Sequence, residues 1–218
     1  MKLYSVLGMA ISFLSLSSPA ISEQQFSFYG GVQSSPHSKV KGTEPNGVDF
    51  DFTAGWEGKS LSMPPYYGFR YTNWYDDSNG WSINFSHSKA YSDRKTRDSN
   101  NFNVLEFTDG LNPLTINWMH RYAPISGFRP YVGVGVGVAF PHVELKSPSM
   151  TEKTFEFQYG GPVVDFMGGA TYSFNQKWSA FAEYAFHYVK LDVDMGDGGK
   201  FRTNLITNAL NIGLNYSY

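Results

Sequence analysis

The chain has 218 residues, a formal net charge of -2, no cysteine, and equal shares of aromatic and charged residues at 17% each. The near-neutral charge gives no reason to expect a nucleic acid partner, and the lack of cysteine excludes disulfide bonds and thiolate chemistry. Few charges, many aromatics and 22 glycines are typical of a β-barrel whose lipid-facing side chains alternate with inward ones.

The N-terminus has the pattern of a signal peptide. A lysine at position 2 is followed by an apolar run over residues 3–16, and Ala20 and Ser22 fit a cleavage site. The run is shorter than the ~20 apolar residues that a membrane-spanning helix needs, so a membrane anchor is the weaker alternative. We therefore predict export, with residues 1–22 as signal peptide and residues 23–218 as one β-barrel domain.

Period-two alternation of apolar side chains, interrupted by turn residues, predicts eight strands in the remaining chain. The predicted strands are residues 25–33, 65–75, 80–91, 108–122, 128–140, 158–174, 177–191 and 203–218. The connections between them alternate between short and long, as the periplasmic turns and extracellular loops of outer-membrane barrels do. We predict an all-β fold, an eight-stranded antiparallel transmembrane β-barrel. The long connections are residues 34–64, 92–107, 141–157 and 192–202.

The clearest strand has valine on every second residue and glycine at positions 133, 135 and 137 between them. Glycine on the inner side suits a tightly curved sheet around a narrow interior. The last predicted strand repeats the alternation with leucine and isoleucine. We predict that these apolar side chains face lipid. The set is Val132, Val134, Val136, Val138, Leu210, Ile212 and Leu214.

Other strand positions place charged or titratable side chains on the inward phase. A lumen of eight strands has room for side chains but cannot leave charges unpaired. We therefore predict that both inward arginines form ion pairs with Asp165 or Glu183. The inward set is Arg70, Arg121, Asp165, Glu183 and His187.

Two histidines stand where the lipid-facing phase reaches the extracellular ends of strands. His87 continues the phase of Phe85, and His142 continues that of Phe140. A histidine facing lipid has a desolvation cost without a packing gain, so we interpret the pair as functional. Three unrelated interfacial histidines are the alternative. The connection over residues 34–64 is long enough to bring further polar residues to the same rim.

Two strings in the sequence are specific. Residues 53–59 read Thr-Ala-Gly-Trp-Glu-Gly-Lys, and residues 141–144 read Pro-His-Val-Glu. With further strings along the mature chain, they resemble the rhizobial-type lipid A oxidases of the outer membrane. His187 departs from that pattern. The resemblance implies oxidation of the proximal glucosamine of lipid A to 2-aminogluconate in the outer leaflet, with molecular oxygen as oxidant and hydrogen peroxide as product.

Phase and chemistry, rather than the resemblance, suggest the site residues. A carboxylate can act as general base, imidazoles can hold a divalent redox metal ion, and lysines can bind the anionic groups of lipid A. The sequence has no dinucleotide-binding βαβ unit and no flavin site, so we expect neither cofactor. The predicted catalytic residues are Glu57, His87, His142 and Glu144; the predicted metal ligands are His37, His87 and His142; the predicted substrate-binding residues are Lys59 and Lys89.

Two other classes of function remain open at this point. A lipid A deacylase on a similar barrel would need a serine, a histidine and a carboxylate in hydrogen-bond reach. Ser88 follows His87 directly, but adjacent residues of a strand point to opposite faces. A small outer-membrane barrel without enzymatic activity would instead use its loops to bind partners or shield the cell surface.

Overall fold

The computed structural model describes residues 22–218. The signal peptide predicted for residues 1–22 lies outside them except for Ser22. The strands are β1 Glu23–Ser34, β2 Ser38–Thr43, β3 Asp49–Ala54, β4 Trp56–Glu57, β5 Tyr67–Trp74, β6 Asn79–His87, β7 Ala90–Ser92, β8 Val104–Phe107, β9 Pro113–Arg121, β10 Phe128–Ala139, β11 His142–Lys146, β12 Thr154–Phe157, β13 Gly161–Ser173, β14 Trp178–Asp194 and β15 Lys200–Ser217, with helix α1 Arg94–Asn100 and a 3-10 turn at Gly196–Gly198. Within this part of the chain, no helix is long and apolar enough to cross a membrane.

Eight strands close into an antiparallel barrel in the order β1-β5-β6-β9-β10-β13-β14-β15, and β15 pairs back with β1. The predicted fold is therefore confirmed. The predicted lipid-facing residues lie on the outer surface, where Val136 is 66% and Ile212 is 72% exposed. The interior is narrow. A Cβ atom on Gly133 would lie 2.6 Å from the sulfur of Met119 and 2.8 Å from Cγ of Met167.

A buried ion pair crosses the lumen. Arg70 Nη2 lies 2.7 Å from Glu183 Oε1, and both side chains are almost fully buried. The hydroxyl of Tyr131 donates to the other carboxylate oxygen at 2.8 Å, and Asn211 donates to the first at 3.1 Å. The prediction for Arg70 is confirmed, and the lumen at this height is filled by side chains.

The prediction for Arg121 is wrong. Its Nη1 lies 2.6 Å from Glu23 Oε2 because Arg121 ends β9 at the periplasmic mouth, where β1 begins. Asp165 contacts neither arginine; its Oδ1 lies 3.4 Å from His187 Nε2, and its Oδ2 accepts a hydrogen bond from Thr115 at 2.9 Å. The alternation in the sequence placed these side chains inside the barrel, but it could not show which of them lie at the same height along the barrel axis and can therefore pair.

The long connections, predicted as loops, form regular structure. The hairpin β2–β3 adds to the upper end of β15, and a second sheet has the order β12-β11-β8-β7-β4. The predicted strand over residues 80–91 is broken after His87, and the one over residues 108–122 begins only at Pro113. The cause of the second difference is a turn in which Gly110 and Asn112 adopt positive φ angles of 87° and 48°.

The second sheet stands above the barrel wall. Its strands β7, β8, β11 and β12 follow or precede β6, β9, β10 and β13 in sequence, and they keep the same neighbour order. One face of the sheet packs into a large apolar cluster against the upper ends of β14 and β15. The other face therefore continues the lipid-facing surface of the barrel upward. The residues of the buried face are Trp56, Ala90, Leu105, Phe107, Val143 and Leu145.

Candidate functional site on the outward face of the extracellular sheet

A row of carboxylates crosses the outward face of this sheet. Glu57 pairs with Tyr91, Tyr91 with Glu106, and Glu106 with Glu144 on successive antiparallel strands. Directly paired residues share one face of a sheet, with Cβ atoms about 5 Å apart. Three carboxylates and a phenol thus lie side by side. Alternation with the buried face fixes this arrangement, since each of these residues has at least one neighbour within its strand in the apolar cluster.

Lysines flank the row. Lys59 Nζ lies 4.4 Å and Lys89 Nζ 5.7 Å from the ring centre of Tyr91. At the other end, Lys153 Nζ lies 2.6 Å from Glu144 Oε1. Burial lowers the pKa of Lys89, whose ammonium donates to the carbonyl of Ser62 at 2.9 Å. The face therefore combines acceptors of protons with cations that can bind anionic groups.

The electrostatics of the row single out Glu106. Burial, and then the negative charge of Glu144, raise the pKa of the Glu106 carboxyl above its usual value, and Lys59 opposes this. Burial and the charge of Glu106 also raise the pKa of Tyr91. Because a general base works best when its pKa is close to the operating pH, Glu106 is better suited to accept a proton than an ordinary surface carboxylate.

His142 is tied into the row through Thr108. The Thr108 hydroxyl donates to Glu144 Oε2 at 3.0 Å and lies 3.1 Å from His142 Nδ1. Because the Thr108 hydroxyl donates its hydrogen to Glu144, its oxygen is free to accept a hydrogen bond from His142 when Nδ1 carries the proton. The rings of Phe155 and Phe157 cover His142, with ring centres 4.5 Å and 4.7 Å away.

His87 lies below Lys89 on the same face. It stacks on Tyr67 with ring centres 5.2 Å apart, and its Nδ1 lies 3.1 Å from the Asn112 side-chain oxygen. His87 and His142 are each only 4% exposed. Both keep the lipid-facing phase as predicted, but the expectation that they look openly toward lipid is wrong. Neighbouring aromatic rings and the turn through Gly110 and Asn112 cover them.

His37 lies at the edge of the sheet, near Glu57 but outside the carboxylate row. It is exposed beside Gly55, where an added Cβ atom would lie 3.0 Å from His37 Nε2 and 2.2 Å from a carboxylate oxygen of Asp93. Gly55 directly precedes the edge strand β4 and lies two residues before Glu57 in the chain. Among residues 22–218, no three histidine, aspartate or glutamate side chains come together to hold a metal ion. The predicted ligand set of His37, His87 and His142 therefore does not fit one shared metal site.

The structure thus brings together the predicted Glu57, Lys59, Lys89 and Glu144, with both buried histidines just below them. The residues that connect these groups were not predicted. Glu106 and Lys153 lie in connections whose pairing the sequence could not assign, and Tyr91 and Thr108 lie at the ends of predicted strands that the structure breaks or shortens. Period-two phase around Glu106 was a usable signal, since Leu105 and Phe107 are apolar on both sides of it. The missed residues are Tyr91, Glu106, Thr108 and Lys153.

Comparisons with known proteins address the fold. No curated protein matches this chain. The chain is similar to the crystal structure of Neisserial surface protein A, with 10% identity and a TM-score of 0.50 over 90% of this chain and 97% of the other. It is also similar to the outer membrane protein AlkL, solved by solid-state NMR in DMPC lipid bilayers, with 11% identity and a TM-score of 0.54 over 96% and 97% of the two chains.

The family described as the outer membrane protein beta-barrel domain matches residues 8–218, nearly the whole chain. The match agrees with the closed eight-stranded barrel and its apolar outer surface. It places the protein in the bacterial outer membrane. The chain belongs to the outer membrane protein beta-barrel domain family.

Proposed function

We propose that the protein oxidises the proximal glucosamine of lipid A to 2-aminogluconate in the outer leaflet, with molecular oxygen as oxidant. The observation that supports this most is the row of Glu57, Tyr91, Glu106 and Glu144 on a face that continues the lipid-facing wall. A substrate anchored in the outer leaflet reaches this face laterally. It does not need to enter the lumen, which the pair of Arg70 and Glu183 fills.

The lysines of the face bind the substrate in this proposal. Lipid A is an anionic glycolipid, and the ammonium groups of Lys59, Lys89 and Lys153 lie along the carboxylate row. Each lysine supplies a compact cation on a flexible stem, which suits phosphate groups without fixing one geometry. Exposed apolar residues lie near Lys89, whose ammonium donates to the carbonyl of Ser62. On either side of Ser62, Leu61 and Met63 are 81% and 85% exposed.

The proposed chemistry starts at the reducing-end hydroxyl of the sugar. Glu106, paired with Glu144, takes the hydroxyl proton as general base. Carbon 1 loses its hydrogen, so the sugar gives up two electrons and two protons in total, and oxygen takes them to form hydrogen peroxide. Water then opens the resulting lactone to the carboxylic acid. The net change in the lipid is the gain of one oxygen atom.

A divalent redox metal ion remains our proposed carrier of the two electrons from sugar to oxygen. It would need ligands beyond a cluster of three histidine, aspartate or glutamate side chains, since residues 22–218 contain no such cluster. The Nε2 atom of His87 is buried without a hydrogen-bond partner among the described residues.

The test is mass spectrometry of lipid A from a host that makes the 1-dephosphorylated form and expresses this protein. We expect a species heavier by one oxygen atom. Loss of an acyl chain would instead support the deacylase, and an unchanged spectrum with folded protein in the membrane would contradict the proposal. The deacylase has less support because Ser88 is only 1% exposed and its hydroxyl forms no hydrogen bond to His87 or to any other described residue.

A further inference from the structure

The apolar outer surface reaches higher on one side of the molecule than on the other. Above the level of Val138, four aromatic rings stay exposed on the side of β11 and β12. Phe140 packs edge-on against Tyr159 with ring centres 6.4 Å apart, and the strip continues to the rings that cover His142. We call these residues the aromatic strip; they are Phe140 (42% exposed), Phe155 (59%), Phe157 (62%) and Tyr159 (62%).

The wall formed by β14 and β15 is different at the same height. The backbone N–H of Asp192 donates to the carbonyl of Gly160, the residue after Tyr159, at 2.8 Å. Asp192 and Tyr159 therefore lie at about the same height along the barrel axis. There the outward residues are polar. Arg202 Nε pairs with Asp192 at 2.9 Å, and Lys190 is opposite Asn204. Ordinary alternation at a membrane boundary would end the apolar band at one height all round, so the strip is a local feature.

The strip leads to the carboxylate row. Phe155 is paired directly with Glu144, and Lys153 Nζ lies 4.6 Å from the ring centre of Phe155. An apolar chain that lies against Phe140 and Tyr159 therefore has its polar end beside Lys153 and Glu144. That order, apolar below and anionic or hydroxylated above, is the order of groups in a glycolipid of the outer leaflet.

We propose that the aromatic strip is a docking surface for an acyl chain of the glycolipid substrate, so that the site selects a membrane-anchored sugar over a free one. The effect of the strip on oxidation rests on the proposed function, whereas the binding of the acyl chain to the strip does not. The rings provide apolar contact below the sugar, and the aromatic faces also suit stacking against sugar rings. The lipid need not leave the bilayer to reach Glu144.

The kinetic test uses a variant that leaves the histidines covered. Phe140→Ser with Tyr159→Ser removes the lower half of the strip, whereas changes at Phe155 or Phe157 would also uncover His142. We expect kcat/KM to fall about tenfold for acylated lipid A, as loss of two apolar contacts predicts, and to stay unchanged for a water-soluble deacylated disaccharide. An equal loss on both substrates, or no loss on either, would overturn the inference.

The binding test needs no oxidation. A photo-crosslinking phenylalanine analogue is placed at Tyr159, and at Asn204 as the control on the polar wall, in protein inserted in outer membranes. We expect several-fold more lipopolysaccharide adduct from position 159. Equal adducts at both positions would contradict a local docking surface, and a protein–protein adduct would show a second copy as the occupant instead. If position 159 is favoured but no lipid A is oxidised, the docking surface stands and the proposed function fails.

Discussion

Glu106 is the residue on which the proposed chemistry depends most. It lies between Tyr91 and Glu144 in the row, and burial together with the charge of Glu144 raises its pKa. Glu106→Gln keeps the shape of the side chain and removes the base. We expect kcat for lipid A oxidation to fall by about 100-fold, within the range that general base catalysis contributes. The measurement is turnover of 1-dephosphorylated lipid A by purified protein in vesicles.

His37→Ala is the matched control for that experiment. His37 is exposed beside Gly55 and Asp93 at the edge of the sheet, and it is not part of the carboxylate row. We expect this variant to oxidise lipid A at the rate of the unmodified protein. A loss as large as that of Glu106→Gln would show that the loop carrying His37 closes onto the site during the reaction, and the arrangement described above would then be incomplete.

Glu106 should also give the protein a pH-dependent stability. Its folded-state pKa lies above the usual value of 4.5, so the folded protein binds more protons than the unfolded chain. The stability contribution of this residue is therefore largest below that value and falls as the pH rises through the folded-state pKa. We expect Glu106→Gln to be more stable than the unmodified protein at about pH 8 and to lose this advantage at about pH 4. Thermal unfolding in detergent micelles, followed by gel mobility, measures the difference.

Among the strands, the glycines of β10 allow the backbone of β9 to pack closely against it. A Cβ atom on Gly137 would lie 2.0 Å from the carbonyl oxygen of Leu114 and 2.6 Å from the Cα atom of Thr115, both backbone atoms of β9. We expect Gly137→Ala to lower the unfolding free energy by about 1–3 kcal/mol, as overpacking does. Gly168→Ala is the control, because its nearest neighbours lie 3.9 Å away. Similar melting temperatures for the two variants would contradict this view of the wall.

The barrel elements were predictable from the sequence, and the extracellular sheet was not. Strands such as β10 and β15 carry period-two alternation for most of their length, because one face meets lipid and the other a packed interior. Strands β7, β8 and β12 have three or four residues each, too few for a period to be read. Their pairing depends on where the barrel strands below them end.

The candidate site was predictable in part for the same reason. The phase of His142 and Glu144 follows from Phe140 in the adjoining barrel strand, so the sequence placed them on the outward side. The partners of Glu144 come from distant parts of the chain. Glu106 is opposite it in β8, and Lys153 precedes β12. No local pattern encodes such cross-strand contacts, so the outward phase of Glu106 could be predicted but its place opposite Glu144 could not, and His37 was included instead.

For the molecule as a whole, the closed barrel supports the extracellular sheet, and the proposed activity lies outside the lumen. The buried pair of Arg70 and Glu183 spans the lumen. Arg70→Met leaves a buried carboxylate without its partner, and we expect a loss of about 3–5 kcal/mol in unfolding free energy. Arg70→Met combined with Glu183→Met should recover most of that loss. Urea unfolding in micelles measures both, and additive losses in the double variant would argue against a direct pair.

We propose that the outward face of the extracellular sheet oxidises a lipid anchored beside it. The most direct measurement is the release of hydrogen peroxide together with the mass of the lipid, for purified protein in vesicles that contain 1-dephosphorylated lipid A. We expect one peroxide for each lipid that gains an oxygen atom, and neither product from the variant carrying both Glu106→Gln and Glu144→Gln. Lipid of unchanged mass from folded, unmodified protein, or full activity in the double variant, would contradict it.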